Sequence, residues 1–426
     1  MTFSSFLSLL LGALLLSSTA SATEQHKQKP NSNPSLSVFV SQIISNHPDI
    51  LAAKAKLSSA RSSLSAADRA VYNPEIEFGY EDSDSKTKTI GIAQTIDWGD
   101  LRGSRTAQAK AALSMAKAHY EIASQAFIKK LLKSIAKVET THELSQLSEK
   151  SLTLMRGFKR VAERRFKAGD LNQAELNLAR LAYSQVQMDY SRSLTNKIEA
   201  EENIRALIGR SLVNLPALPN KFSKPILAKD LDAFLQKLPS IRLQLAELDA
   251  VKHQISIKKS ETAWNPTVSV TAGSVEDNSS NQKDSVIRFN LSIPLNIRNN
   301  FKNEVNAAHQ DLIAQEQLTH MSYRSTRANL KSTKQRYQNL LNAWRHWREE
   351  GQESGNEQLA LIQQLWEHGE ISATEHTIQI RQTLDAIATG LELRNQLWHT
   401  AFDWMAMTAT IDAWLGINLE LTKGEK

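Results

Sequence analysis

The sequence predicts a mainly α-helical fold with a small β part: long antiparallel coiled-coil helices forming an α-barrel, plus four strands per chain contributed to a β-barrel shared by several chains. Three observations carry this expectation. The chain is poor in helix breakers, it repeats itself, and its few strand-like segments alternate with period two. Glycine counts 15 and proline 10 in 426 residues, with glycine at about half its usual share of roughly 7%, which favours long unbroken elements. Hydrophobic residues at 41% and charged residues at 23% give ample material for a core and exclude a disordered composition.

In chain order, the apolar run Phe6 to Leu16 has the length of a secretory signal core, and Ala20-Ser21-Ala22 supplies a small-residue cleavage site. Residues 1–22 are therefore read as a signal peptide, although no Lys or Arg precedes the apolar run. The alternative, an N-terminal anchor, needs about 20 apolar residues. Residues 23–36, polar and carrying Pro30 and Pro34, are expected to be a mobile N-terminus.

Internal similarity then divides the chain. Tyr72-Asn73-Pro74 returns as Trp264-Asn265-Pro266. Phe166-Lys167-Ala168-Gly169-Asp170-Leu171 returns as Trp366-Glu367-His368-Gly369-Glu370-Ile371, each followed by a Glu six positions after the Gly, Glu175 and Glu375. Ile204-Arg205-Ala206-Leu207-Ile208-Gly209 and Ile411-Asp412-Ala413-Trp414-Leu415-Gly416 close the two halves. The first repeat is assigned to 37–208: a helix, strands over 74–82 and 88–98, a long helix over 100–167, a turn at 168–171 and a return helix over 172–208. The second, 239–416, has a helix, strands over 266–274 and 284–295, a long helix over 299–366, a turn at 367–371 and a return helix over 372–415. Pro216, Pro219 and Pro225 mark 209–238 as a connector on the outside of the helical body, and 417–426 is a tail. Each long helix would span about 100 Å. A helix of that length cannot bury its apolar stripe inside a small globule, so it must lie along other helices.

The strands bear on function. Ile76, Phe78 and Tyr80 oppose Glu75, Glu77, Gly79 and Glu81; Ile90, Ile92, Ile96 and Trp98 oppose Thr89, Gly91, Ala93, Thr95 and Asp97. In the second half Val268, Val270 and Ala272 oppose Thr267, Ser269, Thr271 and Gly273, and Ile287, Phe289, Leu291, Ile293 and Leu295 oppose Arg288, Asn290 and Ser292. Gln94 and Val286 alone break the pattern. Such alternation fits a soluble sheet with one wet face or a membrane barrel with lipid outside and water inside. Strand length of about 9–11 residues suits a membrane crossing. Tyr72, Trp98 and Trp264 fall where strands meet helices, as an interfacial belt requires, or else they plug the joint. Four strands cannot close a barrel, and an open edge in lipid leaves backbone groups unpaired, so several chains must share one.

Together these residues resemble the TolC-like outer-membrane efflux protein family, most closely its heavy-metal, Czc-type branch. The carrying segments are Asn73-Pro74 opening a strand, Ile92-Ala93-Gln94-Thr95-Ile96-Asp97-Trp98-Gly99 with Arg102, Leu291-Ser292-Ile293-Pro294-Leu295 with Arg298-Asn299-Asn300, and the paired turns at Gly169 and Gly369. The likeness covers about Leu36 to Gly416. It implies a homotrimer with a twelve-stranded barrel in outer-membrane lipid of a Gram-negative bacterium and a hollow helical cylinder across the periplasm. It further implies that the tips Gly169, Asp170, Leu171, Gly369, Glu370 and Ile371 dock on a periplasmic membrane-fusion adaptor held by an inner-membrane pump of the proton-driven RND type. Glu375 matches a carboxylate position at the family's periplasmic entrance, with Glu175 its counterpart. Ile371 and Ile378 replace the Arg and the second acid of the family's charge-linked latch. Lumen-facing positions on the strands are Glu75, Glu77, Arg288 and Asn290.

No catalytic constellation is found: no phosphate-cradling G-x-x-x-x-G-K-[ST], no G-x-S-x-G and no H-E-x-x-H. Zero cysteines exclude disulfides and thiolate chemistry. His368 and His376 straddle the second turn and read as exposed helix-end histidines, not metal ligands, so no cofactor or metal is expected. The 51 basic residues interleave with 45 acidic ones for a net +6 and form no concentrated stripe, which excludes nucleic acid. Trp344, Trp347, Trp398, Trp404 and Trp414 are expected to pack the helical body. The leading expectation is a passive exit duct of a tripartite efflux system and no enzyme. The alternatives are the duct of a type I protein-secretion system and a structural periplasmic coiled-coil protein.

Overall fold

A computed structural model of the chain describes residues 34–209, 215–279 and 282–417. The expected signal peptide, most of the expected mobile N-terminus and nearly all of the tail lie outside the described residues. Helix accounts for 72% of the described residues. Two helices, α1 (Pro34–Asn46) and α2 (Pro48–Ala67), lead into β1 (Glu75–Asp82) and β2 (Ser85–Thr95), then α3 (Leu101–Ala168) and α4 (Gln173–Ile208). After the connector come α5 (Leu231–Lys237) and α6 (Pro239–Glu261), then β3 (Thr267–Asp277) and β4 (Lys283–Ser292). The chain continues through α7 (Lys302–His346), a π-turn (Trp347–Gly351), α8 (Gln352–His368), α9 (Ala373–Met407) and α10 (Ile411–Leu415).

The 68 residues of α3 stay helical because they contain no proline and are rich in Ala, Leu, Lys and Gln. Its start is fixed by two carboxylates: Asp97 accepts from the amides of Leu101 and Arg102, both at 2.8 Å, and Asp100 accepts from Gly103. This capping shortens the preceding strand. The expected end at Trp98 moves back to Thr95, since Asp97 serves the helix. The fourth strand likewise ends at Ser292 and not at Leu295, because Pro294 has no amide proton to give a ladder.

One expectation is overturned. The second long helix is not continuous over 299–366 but widens into a π-turn at Trp347–Gly351. The cause is packing: a Cβ on Gly390 of α9 would stand 2.1 Å from the Trp347 ring, and one on Gly351 would stand 2.3 Å from it. The indole occupies space that only two glycines leave, and the helix bulges around it.

All neighbouring strands are antiparallel, in the order β1-β2-β3-β4, so the two halves meet at the β2–β3 pair. Register aligns one face with the other half: Ile76↔Ile92↔Val270↔Phe289 runs across the sheet as an apolar line, and Glu77↔Gly91↔Thr271↔Arg288 as a polar one. Two hydrophobic cores hold the helices. A collar core gathers α1, α5, α10 and the connector residue Leu218 around Phe127 to Ala136 of α3 and Leu397 to Trp404 of α9. A second core, near the two turns, is built from Met155, Phe158 and Ala162 with Leu176, Ile362, Trp366 and Ile380. Trp344, Trp347, Trp398, Trp404 and Trp414 belong to the collar core or pack on it, as expected, whereas Trp366 lies in the second core.

Candidate functional site

The sheet has no core of its own. Phe78 is 78% and Phe289 79% exposed, and Ile76, Tyr80, Ile92, Ile287 and Leu291 of the same face are exposed with them. An apolar sheet face of this extent, left uncovered in one chain, marks contact with something other than water. The opposite face curves around a concavity of about 750 Å³ lined in part by Glu77, Thr89, Ser269, Thr271, Arg288 and Asn290. Glu75 lies on that face by register, opposite Ala93 and in line with Ser269 and Asn290. Both outer edges, β1 and β4, lack a further strand in the single chain. Among the described residues no helix is long and apolar enough to cross a membrane.

The joint between sheet and helices is polar inside and aromatic outside. Asn265 receives the Trp98 amide at 3.0 Å and donates to the Tyr72 hydroxyl at 3.2 Å, while Gln94 donates to the Tyr72 carbonyl. Tyr72 is half-buried in this network, whereas Trp98 and Trp264 stand 74% and 58% exposed. The break in alternation at Gln94 thus has a use, since its amide ties the joint.

At the far end, both turns have the same construction. Gly169 and Gly369 take the left-handed conformation with φ of 87° and 81°, which costs glycine nothing. Asp170 and Glu370 donate back to Arg165 and Leu365, each at 2.9 Å, closing a Schellman motif. Leu171 and Ile371 fold in against the tip core, while the Gly and acidic residues of the turns are exposed.

Glu175 and Glu375, the carboxylates expected at an entrance, have structural work at the helix starts. Glu175 accepts from the Asn172 amide at 3.1 Å while Asn172 accepts from the Glu175 amide. Glu375 accepts from the Ser372 amide and hydroxyl, both at 2.9 Å, and its own amide returns a bond to that hydroxyl. Each is the third helical residue of a capping box. The Ser372 bonds hold the Glu375 carboxyl below the usual range, so it stays charged at neutral pH. The spacing Asn172-x-x-Glu175 and Ser372-x-x-Glu375 is legible in the sequence and announces this role.

His376 overturns its expectation. It is fully buried, stacked on Phe158 at 4.3 Å with 12° between ring planes, and beside Trp366 at 5.4 Å. Neither ring nitrogen has a partner, and burial pulls its pKa down to about 4. Across the tip, Arg165 of the first half donates to the Trp366 carbonyl at 2.8 Å and lies 4.5 Å above the Trp366 ring, tying one turn to the other. Nothing in the sequence pairs residues so far apart.

A family model described as "Outer membrane efflux protein" matches residues 39–210 and again 231–402. No curated protein matches the sequence. Among solved structures, the outer membrane channel CmeC of Campylobacter jejuni is 13% identical with a TM-score of 0.72, covering 88% of this chain and 85% of that one. The outer-membrane channel OprN is 14% identical with a TM-score of 0.70, covering 88% and 90%. The open state of the Neisseria gonorrhoeae MtrE outer membrane channel is 16% identical with a TM-score of 0.64, covering 88% and 89%. At these identities the likeness is one of fold.

Proposed function

Since the chain belongs to the outer membrane efflux protein family, we propose that it is the passive exit duct of a tripartite efflux system, closed as a homotrimer. The observation that carries this is the sheet: one face apolar and uncovered, the other polar and concave, with two free edges. Three such sheets joined edge to edge leave no unpaired edge in lipid and enclose water. The helices then continue the tube, and the paired turns at its end are the surface offered to a periplasmic adaptor and, through it, to an inner-membrane pump. Energy comes from the pump; the duct performs no bond chemistry. The Ile92–Gly99 and Leu291–Leu295 segments support the Czc-type branch, and with it metal ions as cargo.

Three copies of Glu375, charged and exposed, would place a carboxylate ring at the entrance, favouring cations. Both bonds from Ser372 land on Oε2, so Oε1 lies outside the cap. Purified protein in planar bilayers is expected to give discrete single-channel openings from a trimer. Glu375→Gln, which keeps a capping-box acceptor but removes the charge, should lower cation preference. A folded monomer without openings would sink the duct, and openings with unchanged selectivity in Glu375→Gln would remove the ring alone.

A further inference from the structure

The expected absence of a concentrated basic stripe does not hold on α3, whose own spacing carries four lysines. Lys129, Lys130, Lys133 and Lys137 of α3, at a spacing that puts them on one helix face, line a cavity of about 360 Å³ together with Asn203 of α4 and His399 of α9. That face is opposite the one formed by Phe127, Ile128, Leu131, Leu132, Ile135 and Ala136, which is buried in the collar core. The cavity therefore opens on the side of the helices that the collar leaves bare.

The charge there is not balanced. Among the described residues Asp403 is the one carboxylate paired with these lysines, accepting from Lys133 at 2.8 Å through both oxygens and lying 3.6 Å from Lys129. The nearby carboxylates of α4 are engaged elsewhere, Glu201 with Lys197 and Glu202 with Arg205. Lys130 and Lys137 are exposed and have no ion pair among the described residues. The Nε2 of His399 is buried without a hydrogen-bond partner. Burial, then the charge of Lys133, depresses the histidine pKa, so the ring is neutral and adds no charge of its own. Four cations against one anion around an open cavity is an arrangement completed by a multivalent anion.

We infer that this cavity is a binding site for an oxyanion of the phosphate class, held chiefly by Lys130 and Lys137. The binding stands on the cavity itself. Its place on the inner wall of a tube rests on the duct reading, under which three such sites would form a positive belt above the acidic entrance. The shared chemistry is the oxyanion, whether free or the end group of a larger molecule.

The test is calorimetric titration of the detergent-solubilised full-length protein with sodium phosphate at low ionic strength, where screening is weakest, with glycerol 3-phosphate and sodium chloride in parallel. Saturable phosphate binding at one site per chain is expected, weakened tenfold or more in the Lys130→Gln/Lys137→Gln double variant. Lys110→Gln/Lys117→Gln, which makes the same charge change at exposed positions on α3, should alter affinity less than twofold. Binding of both phosphate and glycerol 3-phosphate identifies an end group, and of phosphate alone a free ion. Absence of saturable binding, an equal response to chloride at matched ionic strength, or equal loss in both double variants overturns the site. No channel recording enters this assay, so failure of the duct leaves it interpretable.

Discussion

The two hairpin tips share a backbone and differ in what fills it. Both turns use a left-handed glycine, a Schellman closure and a capping box, so the local chemistry of the repeat has been kept twice. The side chains at matching positions have gone separate ways. Phe166 is 37% exposed while its counterpart Trp366 is fully buried, and Leu176 fills a core position that His376 takes in the second half. Turn geometry is therefore specified locally in each half, whereas the tip core is asymmetric at these matched positions: Trp366 and His376 pack on Phe158 of the first hairpin, and Arg165 reaches across to Trp366.

The widest gap between the halves should appear on truncating the aromatics. Trp366→Ala removes a buried side chain from the middle of the tip core and is expected to cost about 3–5 kcal/mol. Phe166→Ala should cost less than about 1 kcal/mol, since a half-exposed ring leaves little cavity. Denaturant midpoints of the two variants at fixed protein concentration decide it, and equal losses would break the asymmetry.

Acid should act on the second half alone. The folded-state pKa of His376 lies at about 4, below the unfolded value of about 6.5. Between these values the unfolded chain takes up the proton first, so stability is full above pH 6.5 and falls as the pH drops towards 4. The loss for this group approaches about 3 kcal/mol at the lower limit. His376→Leu, which copies Leu176, should remove that part of the acid sensitivity and raise stability at neutral pH by freeing the core of two unpaired nitrogens. Stability measured at pH 7, 5.5 and 4 for both proteins tests this; parallel curves would show the histidine to be indifferent.

The smallest effect should also be the most equal. Asn172→Ala and Ser372→Ala each remove the first residue of a capping box, at a cost of about 1 kcal/mol. Thermal midpoints that diverge between them would show that the turns, too, have specialised.

Much of this was legible in the residues. Period-two alternation, the paired glycines and the long proline-free runs place the strands, turns and rods close to where they are found, because each is written in neighbouring positions. The strand ends at Thr95 and Ser292 are not visible to a period-two pattern, because Asp97 alternates like a strand residue while serving the helix start, and Pro294 keeps the alternation without an amide proton for the ladder. The π-turn escaped because its cause, Gly390, is on another helix. His376 escaped for the same reason, since Phe158 and Trp366 approach it only after the helices pack. Of the lysine cavity, the four lysines are neighbours in sequence and only Asn203, His399 and Asp403 arrive from other helices. Glu175 and Glu375 are a different case, since their capping role stood in plain sequence and was overlooked in favour of the entrance.

The π-turn at Trp347–Gly351 has a consequence for how the second rod is keyed to its surroundings. One residue more in a turn rotates everything beyond it by about 100° relative to an unbroken helix. The apolar positions Leu330, Tyr337, Leu341, Trp344, Leu359, Ile362 and Trp366 share one helical phase in the sequence, and the bulge turns that single stripe from α6 and α9 in the part before it to the tip core in the part beyond. Running all of 347–351 as plain α-helix would swing the tip edge about 100° off its neighbours, whereas deleting one residue there would straighten the rod and leave both edges facing the helices they face now.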